Sequence, residues 1–176
     1  MTLVLGGARS GKSRFAEDLV AASPLDRVYV ATAEARDDEM RDRIAHHRAR
    51  RDGSWRTVEA SRQLVGALWN ESSPKTVVLV DCLTLWLSAL VLADPLIVDV
   101  DEEIDGLLSF LVFAPGDVIL VSNEVGSGIV PDNALARAFR DHQGRLNQLV
   151  AARADRVTLV AAGLPLDLKL PKEPSE

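Results

Sequence analysis

The 176-residue chain is poor in cysteine, glycine and proline, and it has more acid than base. Its one cysteine, Cys82, excludes an internal disulfide and a cysteine zinc cluster. Eleven glycines and eight prolines are too few for a collagen-like or low-complexity chain. Twenty basic residues against 26 acidic ones leave a net charge of −6. That is a poor match to a nucleic-acid binder, whose phosphate contacts need clustered positive charge. No positive region precedes the apolar residues of the opening MTLVLGGARSGK stretch, so no secretory signal is expected. The longest uncharged apolar run, Leu83–Ala93, has 11 residues, against the ~20 that a membrane helix needs. These absences leave a cytoplasmic, enzyme-sized chain with no membrane insertion. Residues 1–170 are expected to form one nucleotide-binding domain, and 171–176 a polar, frayed tail with two prolines.

What is present is an alternation. Thr2–Leu5, Arg27–Ala31, Thr76–Val80, Asp117–Val121 and Arg156–Ala161 read as strands, rich in Val and Leu and nearly continuous in hydrophobicity. Strands covered by helices on both faces of a parallel sheet have that pattern. Leu166–Leu170 is a candidate edge strand. Helical patterns lie between: Ser13–Ala22, Glu34–Arg51, Ser61–Trp69, Leu83–Ala93, Asp101–Phe113 and Asp132–Ala154, the last with Pro131 just ahead as a start signal. The βα alternation predicts a three-layer α/β domain with a central, mostly parallel sheet.

The strongest motif is Gly6-Gly7-Ala8-Arg9-Ser10-Gly11-Lys12-Ser13, a match to G-x-x-x-x-G-K-[ST] between a strand and a helix. Glycines let the backbone wrap so that amide N–H groups point at phosphate oxygens, and the helix adds its positive end. Lys12 is placed to neutralise the β- and γ-phosphates, and Ser13 to ligate Mg²⁺. Asp81, ending the Thr76–Val80 run, is the candidate second holder of the Mg²⁺ shell; the alternative is a helix N-cap. Glu124 also follows a strand and competes with it. Asn123, Glu124, Gly126 and Gly128 form either a ligand-facing loop or a plain turn into the long helix.

A second feature is Arg43-Ile44-Ala45-His46-His47-Arg48-Ala49-Arg50-Arg51. At ~100° per residue, Met40, Ile44, His47 and Arg51 share one helical stripe, with His46 turned away. Adjacent histidines lack the i, i+4 spacing of a helical zinc site. His47 is therefore either a packing histidine or a nucleophile. A neutral imidazole among Arg48, Arg50 and Arg51 suits attack on phosphorus, with guanidiniums stabilising the developing charge. The arginines alone also read as a solvated face or a phosphate clamp. Arg41–Arg51 carries a local charge of +4, leaving −10 for the rest of the chain.

These blocks resemble the bifunctional adenosylcobinamide kinase / adenosylcobinamide-phosphate guanylyltransferase family of cobalamin biosynthesis. The resemblance covers nearly the whole chain. It rests on GGARSGKSRFAE (Gly6–Glu17), YVATAEARDDEMRDRI (Tyr29–Ile44), His47–Arg51, WRTVE (Trp55–Glu59), VDCLTLWL (Val80–Leu87), VSNEVGSGIVP (Val121–Pro131), the R-x-F-R-D block at Arg137–Asp141, GRLNQ (Gly144–Gln148) and the AGLPL that follows the last β-run. It implies a RecA-like P-loop fold and two activities: phosphorylation of adenosylcobinamide by ATP or GTP, then transfer of GMP to adenosylcobinamide phosphate through a GMP–histidine intermediate on His47. It also implies nucleotide contacts at Gly6, Gly7, Ala8, Arg9, Ser10, Gly11, Lys12, Ser13, Ala31, Thr32, Ala33, Arg48, Ala49, Arg50, Arg51, Glu59 and Asp81. A Glu59 carboxylate can accept from guanine N1–H and its amino group, though it may only end a strand. A homotrimer is implied as well, with apolar helices such as Leu83–Ala93 as possible interface. Two other readings stay open: a P-loop small-molecule kinase with no covalent step, and a non-catalytic nucleotide-binding module. A regulatory GTPase of the latter kind should carry N-K-x-D, which this sequence lacks.

Overall fold

Runs of valine and leucine build the centre of a seven-stranded sheet. A computed structural model describes residues 1–34, 38–94, 96 and 98–171, without the side chains of 39, 40, 43, 44, 46 and 47. The strands are β1 (Thr2–Gly6), β2 (Asp26–Ala31), β3 (Trp55–Glu59), β4 (Thr76–Asp81), β5 (Asp117–Asn123), β6 (Arg156–Ala161) and β7 (Leu164–Lys169). Their order across the sheet is β3-β2-β4-β5-β1-β6-β7. All neighbours run parallel except β6 and β7, which are antiparallel. The helices are α1 (Lys12–Ala21), α2 (Asp38–Ala49), α3 (Leu64–Glu71), α4 (Leu83–Val91), α5 (Val100–Phe113) and α6 (Ala134–Arg153). Among the described residues, no helix is long and apolar enough to cross a membrane.

The period of two along each strand sorts the core into two apolar layers. Leu3, Leu5, Val28, Val30, Val78 and Val80 join the cluster that contains Leu64, Leu68, Trp86, Leu107, Phe110 and Leu146 from α3, α4, α5 and α6. Val4, Tyr29, Val77, Leu79, Val121 and Val160 face Ala16 and Val20 of α1. Both faces of β1, β4 and β5 are therefore covered.

Three features depart from the sequence reading. β3 was not among the expected strands. It lies at the sheet edge, paired among the described residues with β2 alone, and has half-buried Trp55 and Val58 beside exposed Arg56, Thr57 and Glu59, so it lacks the apolar run that marks the inner strands. The helix expected to start at Glu34 starts at Asp38, and residues 35–37 lie outside the description. The apolar stretch Leu83–Ala93 offers little to an interface: Leu83, Trp86, Leu87, Ala89 and Leu90 of α4 are all buried within this chain. Leu92 is exposed, and further exposed apolar side chains lie at Leu164, Leu166 and Leu168, alternating along one face of β7, and at Leu170 just past it. Of the expected polar tail, only Pro171 is described.

Helix starts follow from local hydrogen bonding. Asp99 caps α5 by accepting from the amides of Asp101 and Glu102, and Asp101, Glu102 and Glu103 sit at the positive end of the helix dipole. Asn133, two residues past Pro131, caps α6 by accepting from the Ala136 amide at 2.7 Å.

Candidate active site

The parallel strands β1, β2, β4 and β5 end on one edge of the sheet, bringing Gly6, Ala31, Asp81 and Asn123 together. A cavity of about 800 Å³ opens there. Open α/β sheets characteristically bind ligands at this edge.

The Gly6–Ser13 segment turns from β1 into α1 along the cavity. Gly11 precedes the helix with φ 94°, a left-handed conformation that favours glycine. The Lys12 ammonium folds back to donate to the Gly7 carbonyl at 3.1 Å. From behind, the β6–β7 turn supports the loop: the Gly163 amide donates to the Ser10 carbonyl at 2.8 Å. Ala162 and Gly163 of that turn both have positive φ, as a tight hairpin requires. A Cβ on Gly6 would meet the Val160 carbonyl at 2.6 Å, so the close approach of loop to β6 needs glycine there.

Asp81 faces the cavity from the end of β4 and accepts from the Tyr29 hydroxyl at 3.2 Å. It does not cap α4, whose N-cap is Cys82 with no side-chain cap bond. Glu124, its rival, is not among the lining residues and instead accepts from the Gly126 amide at 2.7 Å. Burial, and then the Asp81 charge, push the Cys82 thiol up to about 11. Cys82 is thus held as an unreactive thiol beside the acid.

Opposite the loop, α2 lines the cavity with Arg41, Ala45 and Arg48, spaced four and three apart on one face. His46 and His47 stand between Ala45 and Arg48 on this helix, and their side chains lie outside the description. The three arginines that follow are disposed differently. Arg48 donates to Glu59 Oε1 at 2.8 Å across the cavity mouth. Arg50 pairs at 2.6 Å with Glu17, a buried carboxylate on α1, and does not line the cavity. Arg51 lies over the Tyr29 ring, 3.4 Å from its centroid, and does line it.

Of the other predicted residues, Ala8, Lys12, Ser13, Ala31, Ala33, Glu59 and Asp81 line the cavity. Gly6, Gly7, Arg9, Ser10, Gly11, Thr32 and Ala49 do not. The buried Thr32 hydroxyl donates to the Cys82 carbonyl at 2.7 Å and accepts from its amide at 2.8 Å, clasping the ends of β2 and β4 together. The sequence reading passed over Tyr29, Arg41, Thr57, Ser61, Gln63 and Leu85 as cavity residues. Strand parity puts Tyr29, two residues before Ala31, on the face of the P-loop helix, and the β2–β4 register brings it to Asp81.

Behind Asn123 lies a buried polar network. Asn147 of α6 donates to the Asn123 carbonyl at 3.0 Å and accepts from Ser122 Oγ at 2.7 Å and Gln143 Nε2 at 3.0 Å. The Asn123 amide donates to Thr84 Oγ1 at 2.8 Å. GRLNQ thus acts from the α6 layer, fixing the strand end beside the P-loop.

Comparison with known proteins agrees with this geometry. Residues 2–168 match the family described as cobinamide kinase / cobinamide phosphate guanyltransferase. A bifunctional adenosylcobalamin biosynthesis protein of Pseudomonas aeruginosa is 52% identical over 95% of this chain and 96% of its own length. A counterpart in Salmonella typhimurium is 44% identical over 96% of this chain and 99% of its own. At the level of fold alone, a Pyrococcus horikoshii protein superposes with TM-score 0.57 at 10% identity, covering 98% of this chain and 87% of that one. An ATPase from the type III secretion system of pathogenic bacteria gives 0.56 at 13% identity, covering 94% and 56%. Sheet order, phosphate loop and sequence kinship converge: the chain belongs to the cobinamide kinase / cobinamide phosphate guanyltransferase family and is a bifunctional kinase and guanylyltransferase of cobalamin biosynthesis.

Proposed function

We propose that this one cavity serves both reactions, with adenosylcobinamide and then adenosylcobinamide phosphate as acceptors. One observation carries the reading: Lys12, Ser13 and Asp81 share the cavity with Arg48, Arg51 and Glu59, so the phosphate loop faces the arginine end of α2 across it. In the kinase step the loop amides and Lys12 hold the β- and γ-phosphates of ATP or GTP. Ser13 and Asp81 are hard oxygen donors lining the same space, a set that suits Mg²⁺. Mg²⁺ held by them would supply positive charge to offset that of the phosphates.

In the transferase step an imidazole nitrogen of His47 attacks the α-phosphorus of GTP. The N–P bond forms as the bond to the pyrophosphate oxygen breaks, and the guanidiniums of Arg48 and Arg51 stabilise the charge that develops. A phosphate oxygen of the acceptor then attacks the same phosphorus and restores the imidazole. Glu59 reads guanine through N1–H and the amino group. The Arg48–Glu59 pair is exposed on both sides, at 55% and 75%, so it contributes only ~0.2–1 kcal/mol and an incoming nucleotide displaces it readily. Arg50 supports the site from outside through Glu17. The chain works in the cytoplasm as a homotrimer in this reading, with the leucine face of β7 as contact surface.

Incubation with α-labelled GTP and Mg²⁺ tests the covalent step. The expected product is an acid-labile, alkali-stable protein–GMP adduct, absent in His47→Ala and present in His46→Ala; the reverse pattern refutes the assignment. Lys12→Ala is expected to abolish cobinamide phosphorylation, and a normal rate in that variant removes the kinase role of the loop.

A further inference from the structure

Tyr29 is 5% exposed in β2, yet its ring and hydroxyl both reach the cavity. Three contacts converge on it. Its hydroxyl donates to Asp81 Oδ2 at 3.2 Å. Its face carries the Arg51 guanidinium at 3.4 Å. Its edge packs on Trp55 of β3, with ring centroids 6.4 Å apart and planes at 70°. Burial first, and the Asp81 charge second, push the phenol far above its ordinary range.

The two partners belong to opposite walls. Asp81 ends β4 beside Lys12 and Ser13, and Arg51 follows α2. Arg51 lines the cavity, and its Nη1 is buried without a hydrogen-bond partner among the described residues. A flexible arginine loses much rotamer entropy when a ligand orders it. Stacked on a rigid ring, it has lost that freedom in advance, and the affinity is higher for it.

We infer that Tyr29 is a positioning residue of the active site: its hydroxyl fixes the Asp81 carboxylate toward the metal-bound phosphates, and its ring fixes Arg51 toward the same triphosphate. This rests on the roles given above to Asp81 and Arg51.

The two functions separate by substitution. Tyr29→Phe keeps the ring and removes only the bond to Asp81. Tyr29→Leu removes both. Calorimetric binding of GTP in excess Mg²⁺ and in EDTA provides a readout apart from turnover. For Tyr29→Phe, affinity is expected to fall about ten- to a hundredfold in Mg²⁺ and to stay unchanged in EDTA, as loss of one hydrogen bond to a charged group predicts. Tyr29→Leu is expected to fall about three- to tenfold in EDTA as well, matching Arg51→Ala. The double variant Tyr29→Leu/Arg51→Ala should bind no more weakly in EDTA than Arg51→Ala alone. A general structural role would instead weaken Tyr29→Phe equally in both conditions, and that outcome overturns the inference. So does wild-type behaviour of Tyr29→Phe in Mg²⁺. Asp81→Asn separates the two levels of the argument. If it abolishes the Mg²⁺ dependence while Tyr29→Phe leaves it intact, only the inference about Tyr29 fails. If Asp81→Asn itself leaves the dependence intact, the metal role of Asp81 fails and the hydroxyl's role goes with it. Should Tyr29→Leu not fold, the Tyr29→Phe comparison still decides.

Discussion

Replacing Asn147 by alanine should destabilise the protein more than its single amide suggests. The side chain is 5% exposed, and its partners Ser122 and Gln143 are fully buried. Three bonds disappear: those from Ser122 Oγ and Gln143 Nε2, and the one to the Asn123 carbonyl. Gln143 Nε2 keeps a second acceptor, Ser122 Oγ at 3.0 Å, so its loss is partial. The Ser122 hydroxyl and the Asn123 carbonyl each lose a partner that water cannot easily replace. At ~1 kcal/mol net per bond, with up to ~1 kcal/mol more for a group left buried and unpaired, the expected loss is about 3 kcal/mol. For a chain of this size that corresponds to a melting temperature lower by about 6–12 °C. Urea denaturation followed by far-ultraviolet circular dichroism measures it. The midpoint should fall with unchanged slope, and Gln148→Ala, an exposed neighbour on α6, should stay within ~0.5 kcal/mol of wild type. A loss below about 1 kcal/mol for Asn147→Ala would refute the view that this network holds β5 in place.

Two further outcomes are expected. Asp167 accepts from Arg156 Nε and Nη2 at 3.0 and 2.9 Å and from Thr158 Oγ1 at 2.6 Å; the Arg156 bonds first, then Thr158, hold its carboxyl below the usual range. Its folded pKa lies below its unfolded one, so its stabilisation is present above about pH 4 and is lost as pH falls through the folded value. Urea midpoints from neutral pH downward should show a shallower acid decline in Asp167→Asn than in wild type, and parallel declines would count against the β6–β7 clasp. Leu166→Asp and Leu168→Asp, on the apolar face of β7, should convert a trimer to monomer in size-exclusion chromatography with light scattering; trimers that persist would place the interface elsewhere.

The phosphate loop was legible in the sequence because its chemistry is local: eight consecutive residues carry glycines, lysine and serine at fixed spacing, and the flanking strand and helix confirm the context. Asp81 was legible for a similar reason, as the acid ending an apolar strand. Other parts depend on contacts between segments distant in sequence. β3 escaped notice because an edge strand needs no continuous apolar run. The run at α4 looked like interface because apolarity alone does not distinguish a helix buried within one chain from one shared between chains. The arginines after His47 read as one cluster, yet Arg48, Arg50 and Arg51 go to β3, α1 and the Tyr29 ring respectively. Thr32 carries a motif position but turns inward to join two strand ends. A lone tyrosine inside a valine-rich strand reads as core, and only the sheet order brings Asp81 next to it, since Ala31 and Asp81 are register partners.

The support given to Ser10 by Gly163 has a consequence for the order in which the molecule can become functional. β1 precedes its sheet neighbours β5 and β6 by more than a hundred residues of sequence. Until those are made, β1 has no strand to pair with, and until the turn at Ala162–Gly163 exists, the loop lacks its rear contact. The phosphate loop is therefore made before the strands and the turn that hold it in place. A chain that has formed α1 but not β6 therefore carries the phosphate-loop sequence without the neighbouring strands and rear contact that shape it in the folded protein.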